Sequence, residues 1–200
     1  MSLKVYFVGA HSTGKTTLTR WVASKYKLKM ITEVARSILS EMEADLDRLR
    51  GDIEGISEFQ RKVFARQIKT EHLMGGEGFT SDRSFDNLAY AAEHTNSLAE
   101  LLNSSEFRKY VDWVKTGIVF FVRPQRDLMV NDGIRETVDW DSIVRIDGMI
   151  KFMLEQHGVD YLPIQSLNIQ ERTRSIEYVI NLHLNQHRLG DIEDGTTSTR

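Results

Sequence analysis

The chain has 200 residues, 40% of them hydrophobic and 28% charged, with a formal net charge of −3 at pH 7; this is the make-up of one globular domain with a core of its own. The slightly acidic balance gives no global electrostatic footprint for nucleic acid, and the absence of cysteine excludes a disulfide framework and thiolate chemistry. No signal-peptide pattern precedes the first element and no apolar run approaches the roughly 20 residues that span a bilayer, so the expectation is a cytoplasmic protein with no membrane partner.

In chain order, "KVYFVG" (4–9) is a short apolar run suited to a strand covered on both faces, and residues 15–26 read as the helix that follows it. "LKMIT" (28–32) is a second strand candidate, and 33–50 carries Val34, Ile38, Met42, Leu46 and Leu49 at helical spacing. "GDIEG" breaks the pattern before an amphipathic helix over 56–74 that ends at Gly75 and Gly76. A weak third strand over 77–82 leads into a helix over 84–94 with Ser84 as its expected N-cap. "GIVFFVRP" (117–124) is a clear strand closed by Pro124. A helix over 140–158, a strand over 161–165 and a last helix over 169–188 complete the chain. Alternating strands and helices predict a three-layer α/β domain with a parallel sheet and helices on both faces. The expected organisation is a single domain over 1–189, including a lid segment at about 125–139, and a polar, loose tail over 190–200.

Between the first strand and helix stands "GAHSTGKTT" (9–17), a GxxxxGK[ST] pattern. Gly9 and Gly14 let the backbone approach phosphate oxygens, and the successive N–H groups of His11, Ser12 and Thr13 line the loop. Lys15 reaches the outer phosphates, Thr16 offers its hydroxyl to Mg2+, and Thr17 follows on the helix. ATP and Mg2+ are therefore the expected cofactors. A magnesium triphosphate also calls for a carboxylate from a neighbouring strand end; Asp82 stands there, its plainer reading being a helix cap. Arg83 is suited to an acceptor's oxyanion. Asp86, four residues beyond Asp82, is placed either to face the same site or to face solvent, and solvent is the preferred reading. Glu33 and Arg36 occupy the exit of the second strand and the first turn of its helix. Glu33 is a candidate for holding or deprotonating an acceptor hydroxyl, against a plain interaction with the helix dipole. The charged stretch 123–141 carries Arg123, Arg126 and Arg135 and reads either as a lid over the phosphates or as a solvated loop. His183 and His187 are spaced i, i+4, close enough for a metal in principle, but no third ligand is nearby and they read as binding none. Phe59, Phe64 and Tyr90 read first as core, second as a wall for an acceptor.

"VYFVGAHSTGKTTL", "TEVAR", "SDRSFDNLAYA", "VFFVRP" and "NDGIR" in this order resemble the NadR-like, AAA-type-labelled kinase and ATPase group of P-loop proteins, over roughly residues 3–165. Broader relatives are nucleoside and nucleotide kinases. The resemblance implies the strand order 2-3-1-4-5, Lys15 and Thr16 on ATP and magnesium, and Glu33 and Arg36 on the acceptor side. It also implies Asp82 and Arg83 beside them, and Arg135 or Arg126 in the lid. Catalytic duties fall to Lys15, Glu33, Asp82 and Arg135. The function implied is transfer of the γ-phosphoryl to a hydroxyl of a nucleoside, nucleotide or related small molecule. Alternatives are a kinase acting on hydroxymethylated bases in DNA and a nucleotide-dependent ATPase switch; a homodimer is compatible with all three.

Overall fold

The computed structural model describes residues 2–32, 34–42, 52–94, 98–128 and 139–195. Five strands, β1 (Lys4–Val8), β2 (Lys29–Ile31), β3 (Phe79–Ser81), β4 (Ile118–Val122) and β5 (Leu162–Ile164), form one sheet in the order β2-β3-β1-β4-β5. Every pairing is parallel, with Tyr6 opposite Ser81 and Val119. The carboxyl ends of β1, β3 and β4 therefore open on the same edge of the sheet, where α/β domains bind ligands.

The helices are α1 (Lys15–Tyr26), α2 (Val34–Glu41), α3 (Ile53–Met74), α4 (Asn87–His94), α5 (Leu98–Asn103), α6 (Ser105–Val114), α7 (Trp140–Gln156) and α8 (Ile169–Gly195). Side chains alternate across a strand, so β1 sends Val5 and Phe7 to one face and Tyr6 and Val8 to the other. Val5 and Phe7 join Leu18 and Val22 of α1 and Ile176 and Ile180 of α8. Tyr6 and Val8 join the cluster fed by α2, α3, α4, α6 and α7. Phe7 and Phe120 stack with centroids 5.3 Å apart; truncating either to alanine is expected to cost about 3–5 kcal/mol.

Several elements differ from the sequence expectation for identifiable reasons. α3 begins at Ile53, because Asp52 accepts a capping hydrogen bond from Gly55 N, and Gly55 is carried inside the helix. α4 begins at Asn87, and Ser84 is not its cap: Ser84 N donates to Asp86 Oδ1, while Ser84 Oγ is buried without a partner among the described residues. α5 and α6 fall in a stretch for which no element was expected. α6 carries its own signature, a Ser104 cap on Phe107 N and Phe107, Tyr110, Val111 and Val114 buried at helical spacing. α8 runs through Gly190 to Gly195, past the expected end at 188 and into the expected tail; one helical glycine costs only about 1 kcal/mol. Residues 43–50 of the expected second helix lie outside the described residues. Among the described residues no helix is long and apolar enough to cross a membrane.

Candidate phosphate-binding site

β1 stops at Val8, and the backbone turns at once. Gly9 has φ +148°, Ser12 φ +60° and Gly14 φ +90°, the left-handed region that suits glycine and strains a serine. A Cβ on Gly9 would lie 2.4 Å from the Val122 carbonyl oxygen, so glycine is required by close approach of β4 as well as by φ. Gly14 caps α1, and its carbonyl accepts the first helical bond from Leu18 N at 3.2 Å. The loop thus wraps the N-terminus of α1, where the helix dipole and the first-turn N–H groups favour an anion. Lys15 Nζ curls over the loop and donates to the carbonyls of Gly9 at 2.8 Å and Ala10 at 2.7 Å.

Thr16 and Asp82 meet, although 66 residues separate them: Thr16 Oγ1 donates to Asp82 Oδ2 at 2.6 Å. Asp82 is buried, and its other oxygen, Oδ1, has no partner among the described residues. A buried, half-satisfied carboxylate beside a hydroxyl at the mouth of a phosphate loop fits a hard divalent cation that keeps waters and phosphate oxygens as its remaining ligands. The capping alternative for Asp82 is not what the structure has; the carboxylate faces Thr16.

Asp86 is a correction. It does not face solvent but lies buried behind the loop, with Oδ2 accepting from Gly9 N at 3.4 Å and Oδ1 from Ser84 N at 2.7 Å. Burial pushes its carboxyl up, opposed by the Lys15 ammonium, the Ser84 N–H, the Arg83 guanidinium and the Gly9 N–H. The loop is held at two further points. Tyr90 OH accepts from His11 N at 2.8 Å and sits 2.9 Å from His11 Nδ1. Arg172 Nη1 donates to the Thr13 carbonyl at 3.0 Å.

Of the other expected site residues, Arg83 is half-buried at the exit of β3, its guanidinium hydrogen-bonded to no described residue. Arg36 is exposed in the first turn of α2, Thr17 is exposed on α1, and Arg126 is exposed in a 3-10 turn over Arg126–Leu128. Arg123 belongs to no lid: its Nε and Nη2 grip the two Asp147 oxygens at 3.1 and 2.6 Å, tying β4 to α7. Glu33 and Arg135 lie outside the described residues, as does most of the expected lid. Phe59 and Phe64 are buried in the core.

Sequence reasoning passed over Gln60, Asn87 and Arg172. Two of the three had a signal, a polar residue in a buried stripe: Gln60 in the run of Ile56, Val63 and Gln67, and Arg172 four residues before Ile176 and eight before Ile180.

The fold is shared with solved P-loop kinases. A NadR protein in complex with NR superposes with a TM-score of 0.70 at 19% identity, covering 89% of this chain and 50% of that one. Shikimate kinase from Acinetobacter baumannii in complex with shikimate gives 0.58 at 13% identity, over 93% of this chain and 95% of that chain. Deoxyadenosine kinase from M. mycoides, with products dCMP and dCDP, gives 0.63 at 13%, over 90% and 99%. The chain thus spans half the length of the NadR protein. No curated protein matches it. The AAA domain family matches residues 4–172, a span running from β1 through the phosphate loop and the Thr16–Asp82 pair to Arg172, and it is to this family of P-loop proteins that the chain belongs.

Proposed function

We propose that the chain is an ATP- and Mg2+-dependent kinase whose acceptor is a hydroxyl on a nucleoside, a nucleotide or a related small molecule. The observation that carries the reading is the second half of the site. Arg83 brings a guanidinium to the exit of β3, and Asn87, next to the loop-bracing Asp86, forms with Gln60 of α3 a pair of buried carboxamides. Asn87 Nδ2 donates to Gln60 Oε1 at 3.3 Å, and Asn87 Oδ1 is buried with no partner among the described residues. An ATPase switch has no need of these groups. A planar acceptor edge that both donates and accepts, such as a nucleobase or a carboxamide, would satisfy two amides that now satisfy each other incompletely.

Bound magnesium ATP would supply the phosphoryl group and the charge neutralisation of its oxygens. The chain's own residues have separable parts. The loop N–H groups and Lys15 would hold phosphate oxygens, Thr16 and Asp82 would hold the cation, and Arg83 would orient the acceptor. The acceptor oxygen forms the new bond to the γ-phosphorus as the bond to the bridging oxygen of ADP breaks, and the hydroxyl proton passes to a carboxylate. Glu33 is our candidate for that proton, and Arg126 or Arg135 for the developing charge on the phosphoryl oxygens. The NadR and deoxyadenosine kinase likenesses support a nucleoside-type acceptor, and the shikimate kinase likeness marks the competing class.

The test is transfer of label from γ-labelled ATP to a panel of nucleosides, nucleoside monophosphates, nicotinamide riboside, shikimate and hydroxymethylated DNA. The reading expects one nucleoside-type acceptor to take label, with loss of at least 10-fold in Gln60→Leu. Label on shikimate or on DNA alone would replace the acceptor class, and free phosphate with no labelled acceptor would replace the kinase.

A further inference from the structure

Arg172 is a buried cation with no anionic partner among the described residues. It is 4% exposed, its Nε donates to the Ser166 carbonyl at 2.5 Å and its Nη1 to the Thr13 carbonyl at 3.0 Å, and its Nη2 is buried without a partner among the described residues. A Cβ built on Gly14 would lie 3.5 Å from Nη1, so the guanidinium rests against the peptide joining Thr13 to Gly14. Such a peptide is trans, and its C=O and N–H point in opposite directions. Holding the Thr13 oxygen toward α8 therefore aims the Gly14 N–H the other way, away from α8. Gly14, at φ +90° and ψ 13°, is the residue whose freedom would otherwise let this peptide turn over.

We infer that Arg172, carried by α8 and 159 residues distant from its partner, is a positioning residue for phosphate binding: it locks the Thr13–Gly14 peptide with the Gly14 N–H facing the phosphates, while its uncompensated charge adds to the field that holds them. Burial, with no carboxylate beside it among the described residues, lowers the guanidinium pKa, as expected of a cation whose surroundings lack an opposite charge. The polyphosphate of the nucleotide is the anion that the proposed function brings to this loop, so its binding would relieve the burial cost and couple α8 to nucleotide occupancy. The inference rests on the reading of the loop as a phosphate site and is independent of which acceptor is phosphorylated.

The experiment is titration calorimetry of Mg-ADP, with AMP as the probe that lacks the outer phosphate, on the full chain and on R172K and R172M. Urea unfolding is measured alongside. The expected result is a 10-fold or greater rise in the Kd for Mg-ADP in R172M, a smaller rise in R172K, and an AMP affinity within twofold of the unmodified chain. A merely structural arginine would weaken both ligands together. If R172M does not fold, R172K decides, together with the Gly14 amide resonance in 15N spectra, which should move on R172K substitution and lose most of its response to Mg-ADP. Equal Mg-ADP affinity in the variants, or an equal loss for ADP and AMP, overturns the inference alone. Failure of the unmodified chain to bind Mg-ADP overturns it together with the phosphate reading.

Discussion

Glu71 offers a prediction whose sign the structure determines. It is completely buried on α3, with Oε1 accepting from Tyr110 OH at 2.5 Å and Gln67 Nε2 at 2.8 Å, and Oε2 from Tyr6 OH at 2.7 Å and Trp113 Nε1 at 3.1 Å. Burial raises its pKa from 4.5 to about 7, outweighing the four donors, which lower it. Because the folded-state pKa is raised, the folded chain binds the proton more tightly than the unfolded chain. The group's contribution to stability is then fully present below about pH 4.5 and is lost as pH rises through about 7. At 1.36 kcal/mol per unit the full span is about 3 kcal/mol, of which about 2.5 kcal/mol falls between about pH 5 and 8.5. Glu71→Gln removes the titration. Urea unfolding of both proteins across that range should show the stability of the parent, relative to the variant, falling by about 2.5 kcal/mol as pH rises. A difference that stays flat, or that rises with pH, would mean that the four donors hold the carboxylate ionised, and would refute the reasoning. The consequence reaches the site, since Gln67, bonded to Glu71, also donates to Ser81 Oγ at 3.0 Å and to the Arg83 carbonyl at 3.5 Å.

Three further outcomes follow from the loop. Asp86→Ala leaves the Gly9 and Ser84 N–H groups unpaired, and is expected to cost about 2–4 kcal/mol in unfolding free energy and to weaken Mg-ADP binding in calorimetry. Gly9→Ala places a methyl 2.4 Å from the Val122 carbonyl at φ +148°, and a loss of about 3 kcal/mol corresponds to a thermal midpoint lower by roughly 6–12 °C. Thr16→Ala breaks the bond to Asp82 and should raise the Mg2+ concentration for half-maximal ATP turnover roughly tenfold, and, because it leaves the buried Asp82 carboxylate without a donor among the described residues, it is expected to cost about 1–3 kcal/mol in unfolding free energy at zero magnesium.

What could be read in advance was what consecutive residues encode. The loop and α1 were legible because Gly9, Gly14, Lys15 and Thr16 act within one turn of chain, and β1 and β4 because a strand buried on both faces is a continuous apolar run. The strand order came from resemblance and is the observed one. The bracing of the loop was not legible, since Asp86, Tyr90 and Arg172 reach it across 77, 79 and 159 residues, and no local spacing states which distant side chain will meet a backbone group. Asp86 was read as solvent-facing by the ordinary preference of a carboxylate, although its spacing from Asp82 also allowed the site; what buries it is a bond to Gly9 N, 77 residues away. α6 was overlooked although Ser104 and its buried stripe announce it.

The central claim is that ATP turnover serves an acceptor. The most direct measurement is the rate of ADP formation with magnesium ATP, in the absence and presence of the nucleoside-type acceptor that takes label, for the chain and for Lys15→Ala. The account predicts a low basal rate, stimulation of at least 10-fold by the acceptor with one phosphorylated acceptor formed per ADP, and loss of both in Lys15→Ala. A basal rate equal to the rate with every acceptor tested, with free phosphate as the product, would contradict it.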